Sequence, residues 1–229
     1  MNSYLRGLAK HILPEPLQQS TKKNLHTMGF YTWPTKSFET WLVLLNLLYL
    51  VRPRAMVEFG SGRSTNYLGE YAFKTQANLI SFEQNRSWTS KVNRTLKLAF
   101  LPDETVIHAP LCGDWYDERV VARHLAEFPE MDFLFLDGPA EFDAGRRDSD
   151  GLRRQVWPRL NRITMIVVDD VDCADCDQLA AEMAREFELK RFDIAYNASN
   201  KLAFLLGRGH TGAIEALPAP LRKLLTPAG

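Results

Sequence analysis

The sequence predicts an α/β fold: a three-layer α/β/α sandwich on a mostly parallel seven-stranded sheet with an antiparallel terminal strand. Three observations predict it. From Ala55 onward, short runs rich in β-branched and aromatic residues alternate with longer amphipathic segments, the pattern of strands joined by crossover helices. The inner runs are nearly continuous in apolar residues, as strands covered on both faces must be. The last two runs, Phe192–Tyr196 and Leu202–Leu206, are separated only by Asn197-Ala198-Ser199-Asn200. So short a link joins an antiparallel pair, because a parallel pair needs a longer crossover.

The elements follow in order. The stretch to about Pro34 is polar and broken by prolines, with a short helix expected over Tyr4–Ile12. Ser37 is a candidate N-cap for a helix that runs to Val51, where Pro53 stops it. Strands are expected at Ala55–Phe59, Asn78–Phe82, Thr105–His108, Met131–Leu136 and Ile163–Val168. Helices are expected at Ser64–Ala72, Ser87–Leu98, Asp117–Phe128, Arg146–Leu160 and Cys176–Phe187. This divides the chain into an N-terminal extension or cap (1–36), one ligand-binding domain (37–208) and a C-terminal tail (209–229).

Composition excludes several classes. The chain has 229 residues, 45% of them hydrophobic and 24% charged, which suits one globular domain with a real core. Lys+Arg and Asp+Glu balance at 28 each, so no electrostatic case exists for a nucleic-acid partner. The apolar run Trp41–Val51 is too short to span a bilayer and carries Asn46, so no transmembrane segment is expected. Three cysteines, Cys112, Cys173 and Cys176, make no disulfide framework, and no secretory leader is visible. A reducing, cytoplasmic location is the expectation.

Ligands of doubly covered sheets bind at the carboxyl ends of strands, near the point where strand order reverses. The first strand ends in Glu58-Phe59-Gly60-Ser61-Gly62-Arg63-Ser64-Thr65. Two glycines permit a tight turn and close ligand approach, and Ser64 and Thr65 open a helix whose free N–H groups attract a negative group. A phosphate loop would need a Gly-Lys-Ser/Thr ending, and a dinucleotide fingerprint a third glycine where Thr65 stands. The second strand ends in Glu83, a carboxylate placed to accept two ribose hydroxyls. The fourth and fifth strands end in Asp137-Gly138-Pro139 and Asp169-Asp170. Asp137, Asp169 and Asp170 form a candidate oxygen-ligand set for Mg²⁺ or Ca²⁺; otherwise one caps the next helix and the others face water.

These residues resemble the class I S-adenosylmethionine-dependent methyltransferases, which are Rossmann-like. Val57–Thr65 looks like that family's first motif, and Glu83 stands where its ribose-binding acid stands. The resemblance spans about Ala55 to Gly207 and implies S-adenosylmethionine as cofactor. It implies that Gly60, Ser61, Gly62 and Ser64 hold the methionine part, that Glu58 braces the loop and that Asp137 lies beside the cofactor. A narrower resemblance, to metal-dependent catechol-type O-methyltransferases, rests on Asp137, Asp169 and Asp170 and implies Mg²⁺. Here Ala140 replaces that group's usual lysine, and Asp137-Gly138-Pro139 is closer to sugar- and natural-product-associated methyltransferases.

The expected reaction is methyl transfer to a hydroxyl of a small-molecule or saccharide acceptor, with Asp137 or His108 as base if no metal serves. Transfer of an aminopropyl group, or a non-catalytic binding role, are the alternatives. Tyr31 and Trp33 are candidate acceptor-side residues, and Asp114–Asp117 a candidate lining of the adenine or the acceptor mouth. Cys173-Ala174-Asp175-Cys176 reads as packing before it reads as a redox or zinc pair. Leu217–Leu225 reads as a solvated tail, or as a docking helix of a homodimer.

Overall fold

A computed structural model describes residues 35–98, 105–128, 130–139, 150–195 and 201–228. The expectations for Tyr4–Ile12, Tyr31, Trp33, Ala140, the start of the Arg146–Leu160 helix and the Asn197–Asn200 link lie outside these residues. The described elements are α1 (Thr35–Val51), β1 (Ala55–Phe59), α2 (Arg63–Thr75), β2 (Asn78–Glu83), α3 (Arg86–Leu98) and β3 (Val106–His108). A small hairpin follows, β4 (Leu111–Cys112) and β5 (Trp115–Tyr116), then α4 (Glu118–Ala126), β6 (Phe133–Leu136), α5 (Asp150–Gln155) and a 3₁₀ turn over Trp157–Arg162. The chain closes with β7 (Met165–Val168), α6 (Ala174–Glu186), β8 (Leu189–Ala195), β9 (Lys201–Gly207), α7 (Gly212–Ala216), α8 (Ala219–Arg222) and β10 (Thr226–Pro227).

The main sheet runs β10-β8-β9-β7-β6-β1-β2-β3. Strands β3, β2, β1, β6 and β7 pair in parallel. β9 pairs antiparallel with β7 on one side and β8 on the other. The fold is therefore the expected mostly parallel α/β sandwich with two differences. The reversed strand of the late pair lies inside the sheet, and the sheet has eight strands because β10 adds antiparallel to β8. A two-residue strand carries no alternation from which to read it.

The order reverses at β1. The chain moves outward through β2 and β3, then returns to the opposite flank of β1 as β6 and β7. Such a reversal leaves a crevice beyond the carboxyl ends of β1 and β6.

Alternation along each strand divides the core. Met56, Phe133, Phe135, Met165 and Val167 face α1, α2 and the C-terminal helices. Val57, Phe59, Leu134, Leu136, Ile166 and Val168 face the other layer with residues of α4, α5 and α6. From Trp41 to Val51 helix α1 is apolar except at Asn46, and Leu42–Leu45, Leu47 and Leu48 have no exposed surface, which makes this stretch a buried one. No helix of the described residues is long and apolar enough to cross a membrane. The helix expected over Arg146–Leu160 is described only as α5 and the 3₁₀ turn, with Pro158 at the turn's start interrupting the helical hydrogen bonds.

The C-terminal stretch corrects the expectation of a solvated tail. Ala213, Ile214, Leu217, Leu221 and Leu225 all join the core layer of α1. Leu221 is 1% exposed, so Leu221→Ala is expected to destabilise the protein by about 2–4 kcal/mol in denaturant unfolding. A solvated tail would give a change within about 0.5 kcal/mol.

Candidate functional site

The crevice at the order reversal is framed by two glycines. Gly60, with φ of 90°, ends β1 and donates its amide to Phe82 O at 2.9 Å. A Cβ on Gly60 would lie 2.6 Å from Gly138 N, and one on Gly138 would lie 2.8 Å from Gly60 Cα. Only glycine fits at either place, so the loops after β1 and β6 meet backbone to backbone. Gly60 was singled out from the sequence; Gly138 was quoted there only as a flank of Asp137.

Below this contact lies Glu58, fully buried. Gly62 N donates to Thr65 Oγ1 at 2.8 Å, and the Thr65 hydroxyl donates to Glu58 Oε2 at 2.7 Å. A buried carboxylate thus reaches, through one hydroxyl, the first free amide of helix α2. The hydroxyls of Ser64 and Ser81 are buried beside the Glu58 carboxyl. Burial pushes the Glu58 carboxyl up to about 7; neighbouring Ser64, Ser81 and Thr65 hydroxyls pull against the rise and the Glu83 charge adds to it.

Glu83, 6% exposed at the end of β2, closes the other side of the loop. Its Oε2 accepts from Ser61 N at 3.0 Å and Ser61 Oγ at 2.9 Å, and its Oε1 from Asn85 N at 2.8 Å. Trp88 on α3 donates its indole N–H to Ser61 O at 2.7 Å. The sequence reading missed Trp88 and Thr65 as parts of this site. Thr65 stands three residues after Gly62, the helix-cap spacing, and that signal was available.

The remaining candidates divide. Asp137 follows β6 and donates its amide to Phe59 O at 2.8 Å, which puts it beside Gly60. Asp169 follows β7 and is buried; its Oδ1 accepts from Asp170 N at 2.7 Å, while Asp170 adopts φ of 59°. Among the described residues no three Asp, Glu, His or Cys side chains form a group able to hold a metal ion. Asp137, Asp169 and Asp170 are thus not gathered into the three-ligand set expected from their strand ends. His108 ends β3, and its Nε2 lies 3.1 Å from Gln84 O. Three strand spacings, β3 to β2 to β1 to β6, separate it from Asp137, or about 14 Å.

Trp115 and Tyr116 are buried against Phe59 and one another, so they form the floor under the loop. Asp117 caps α4 by accepting from Arg119 N at 2.8 Å. Cys173 is the N-cap residue of α6 and Cys176 is buried in the core.

No protein-family model matches the sequence, and no curated protein matches it either. Solved structures do match in fold. An O-methyltransferase from Bacillus cereus in complex with SAH is 13% identical over 88% of this chain and 96% of its own, with a TM-score of 0.54. A candidate caffeoyl-CoA O-methyltransferase from Staphylococcus aureus is 12% identical over 89% of this chain and 98% of its own, with a TM-score of 0.58. The O-methyltransferase TomG of Streptomyces achromogenes, involved in tomaymycin synthesis and solved with SAM, is 15% identical over 90% and 96%, with a TM-score of 0.55. The fold is thus the Rossmann-like fold of class I S-adenosylmethionine-dependent methyltransferases.

The buried Glu58 carboxyl has a measurable consequence. Its value in the folded chain, about 7, is above the ordinary 4.5 that it regains on unfolding. Between these values the unfolded chain has released the proton and the folded chain keeps it. Stability contributed by Glu58 is therefore full below about pH 4.5 and declines as pH rises toward 7. Glu58→Gln is expected to flatten that decline and to raise stability at pH 8 by on the order of 1–3 kcal/mol, read from urea unfolding at pH 5 and pH 8.

Proposed function

We propose that this protein is an S-adenosylmethionine-dependent methyltransferase that methylates a hydroxyl of a small molecule or saccharide. The observation that carries this reading is Glu83. It is a buried carboxylate that already gathers two donors, Ser61 N and Ser61 Oγ, on one oxygen at the order reversal of the sheet. A ribose presents two hydroxyl donors in the same way. The meeting of Gly60 and Gly138 brings bare backbone to the crevice, where an extended ligand passes close to the chain. Agreement in fold with O-methyltransferases solved with SAH or SAM supports the choice of cofactor.

When bound, S-adenosylmethionine supplies a methyl group activated on a sulfonium. The protein must hold the nucleoside, align the acceptor oxygen and take its proton. Glu83 holds the ribose. Gly60, Ser61, Gly62 and Ser64 form the loop against the methionine part, and Glu58 keeps it in shape through Thr65. Asp137, beside Gly60 at the end of β6, accepts the acceptor's proton. His108 is too far from Asp137 to share that role and belongs to the nucleoside side of the sheet. No step is routed through a divalent ion, since the three aspartates do not come together.

Two variants test this in separate ways. Glu83→Gln is expected to weaken S-adenosylhomocysteine binding by about 1–3 kcal/mol in calorimetry, the worth of a hydrogen bond to a charged group. Asp137→Asn is expected to lower kcat about 10²–10⁴-fold, with a far smaller loss of cofactor affinity. Absence of any S-adenosylhomocysteine binding by the wild-type protein would sink the proposal as a whole.

A further inference from the structure

Ser61 is held at three atoms by two different elements. Its amide and hydroxyl donate to Glu83 Oε2, at 3.0 and 2.9 Å. Its carbonyl accepts from the Trp88 indole N–H at 2.7 Å. Trp88 sits in the first turn of α3, where its own amide and that of Ser87 donate to Asn85 Oδ1. The residue belongs to none of the core clusters. It is 38% exposed, a large apolar side chain left at the surface. What fixes the ring is polar: the bond to Ser61 O on one edge and the Lys91 ammonium 4.3 Å from the ring centroid.

The two bonds from Ser61 to Glu83 are the ones a ribose diol competes for, since both occupy the same carboxylate oxygen. A nucleoside that engages Glu83 leaves the Ser61 amide and hydroxyl to share or lose their partner. The Trp88 bond is made to a different atom, the carbonyl, and survives the exchange. We propose that Trp88 is a positioning residue for the nucleoside loop: it keeps Ser61 in place while Glu83 exchanges Ser61 for ribose hydroxyls. This rests on the nucleoside reading of Glu83 given above.

Trp88→Phe keeps an aromatic ring within reach of Lys91 and removes the indole N–H together with part of the ring's area. The variant is expected to bind S-adenosylhomocysteine about 3- to 10-fold more weakly in calorimetry, the worth of one neutral hydrogen bond. KM for S-adenosylmethionine rises by a similar factor while kcat falls far less, and the unliganded melting temperature stays with the wild type. Equal affinity of Trp88→Phe and wild type overturns the proposal. So does a lowered melting temperature with kcat and KM worsening together, which marks a structural role. A wild-type protein that binds no S-adenosylhomocysteine overturns the nucleoside reading itself.

Discussion

Where β1 and β6 leave the sheet, the backbones of Gly60 and Gly138 approach so closely that a single carbon on either would collide with the other's backbone. The rest of the site depends on this contact. It brings the glycine loop and the loop carrying Asp137 together at the reversal of strand order, where the chain leaving β1 and the chain leaving the parallel β6 lead to strands on opposite flanks. With a side chain at either position the two loops would separate, and the relation of Glu58, Glu83 and Asp137 would be lost with them. The contact also needs a firm base. Phe59 supplies it by stacking on Phe82 and packing against Trp115 and Tyr116 directly under the turn.

Two carboxylates then compete to shape the same few residues. Glu58 lies beneath the loop and acts through Thr65 on Gly62; Glu83 lies beside it and acts on Ser61. Burial is what raises the Glu58 carboxyl, with a smaller contribution from the Glu83 charge, so Glu58 keeps its proton up to about 7. Glu83 is the carboxylate of the two that stands at the crevice. Glu58 serves in its protonated form as a hydrogen-bonding brace below neutral pH.

Much of this was legible in the sequence because it depends on local pattern. Continuous apolar runs fixed the inner strands, and Gly60-Ser61-Gly62 followed by Glu83 marked the loop and its carboxylate. Features made by few residues or by orientation were not legible. The β4–β5 hairpin and β10 offer two residues per strand, too few for a period to show. Strand ends placed Asp137, Asp169 and Asp170 near one another, but no pattern states that the Asp169 carboxylate turns back onto the Asp170 amide. Leu217–Leu225 was read as a tail because Arg222 and Lys223 stand among its leucines and prolines. The burial of these leucines comes from docking on α1, whose apolar stretch from Trp41 to Val51 they help to cover. Trp88 was hidden for a similar reason: its meaning depends on the first turn of α3 aiming an indole at a carbonyl 27 positions earlier.

The sheet also gives the crevice two unlike sides. On the β2–β3 side stand groups already committed by hydrogen bonds: Glu83 to Ser61 and Asn85, Trp88 to Ser61, His108 beside the Gln84 carbonyl. Such groups suit holding, since their positions are set before a ligand arrives and little ordering remains to be done on binding. On the β6–β7 side, Asp137 lies next to the bare backbone of Gly60 and Gly138, and Asp169 is turned inward. In the proposed function that side carries the reaction, because proton transfer needs a basic oxygen within reach of the acceptor. The division follows from strand order alone. β1 stands between the two sides, and the loop that leaves it touches both.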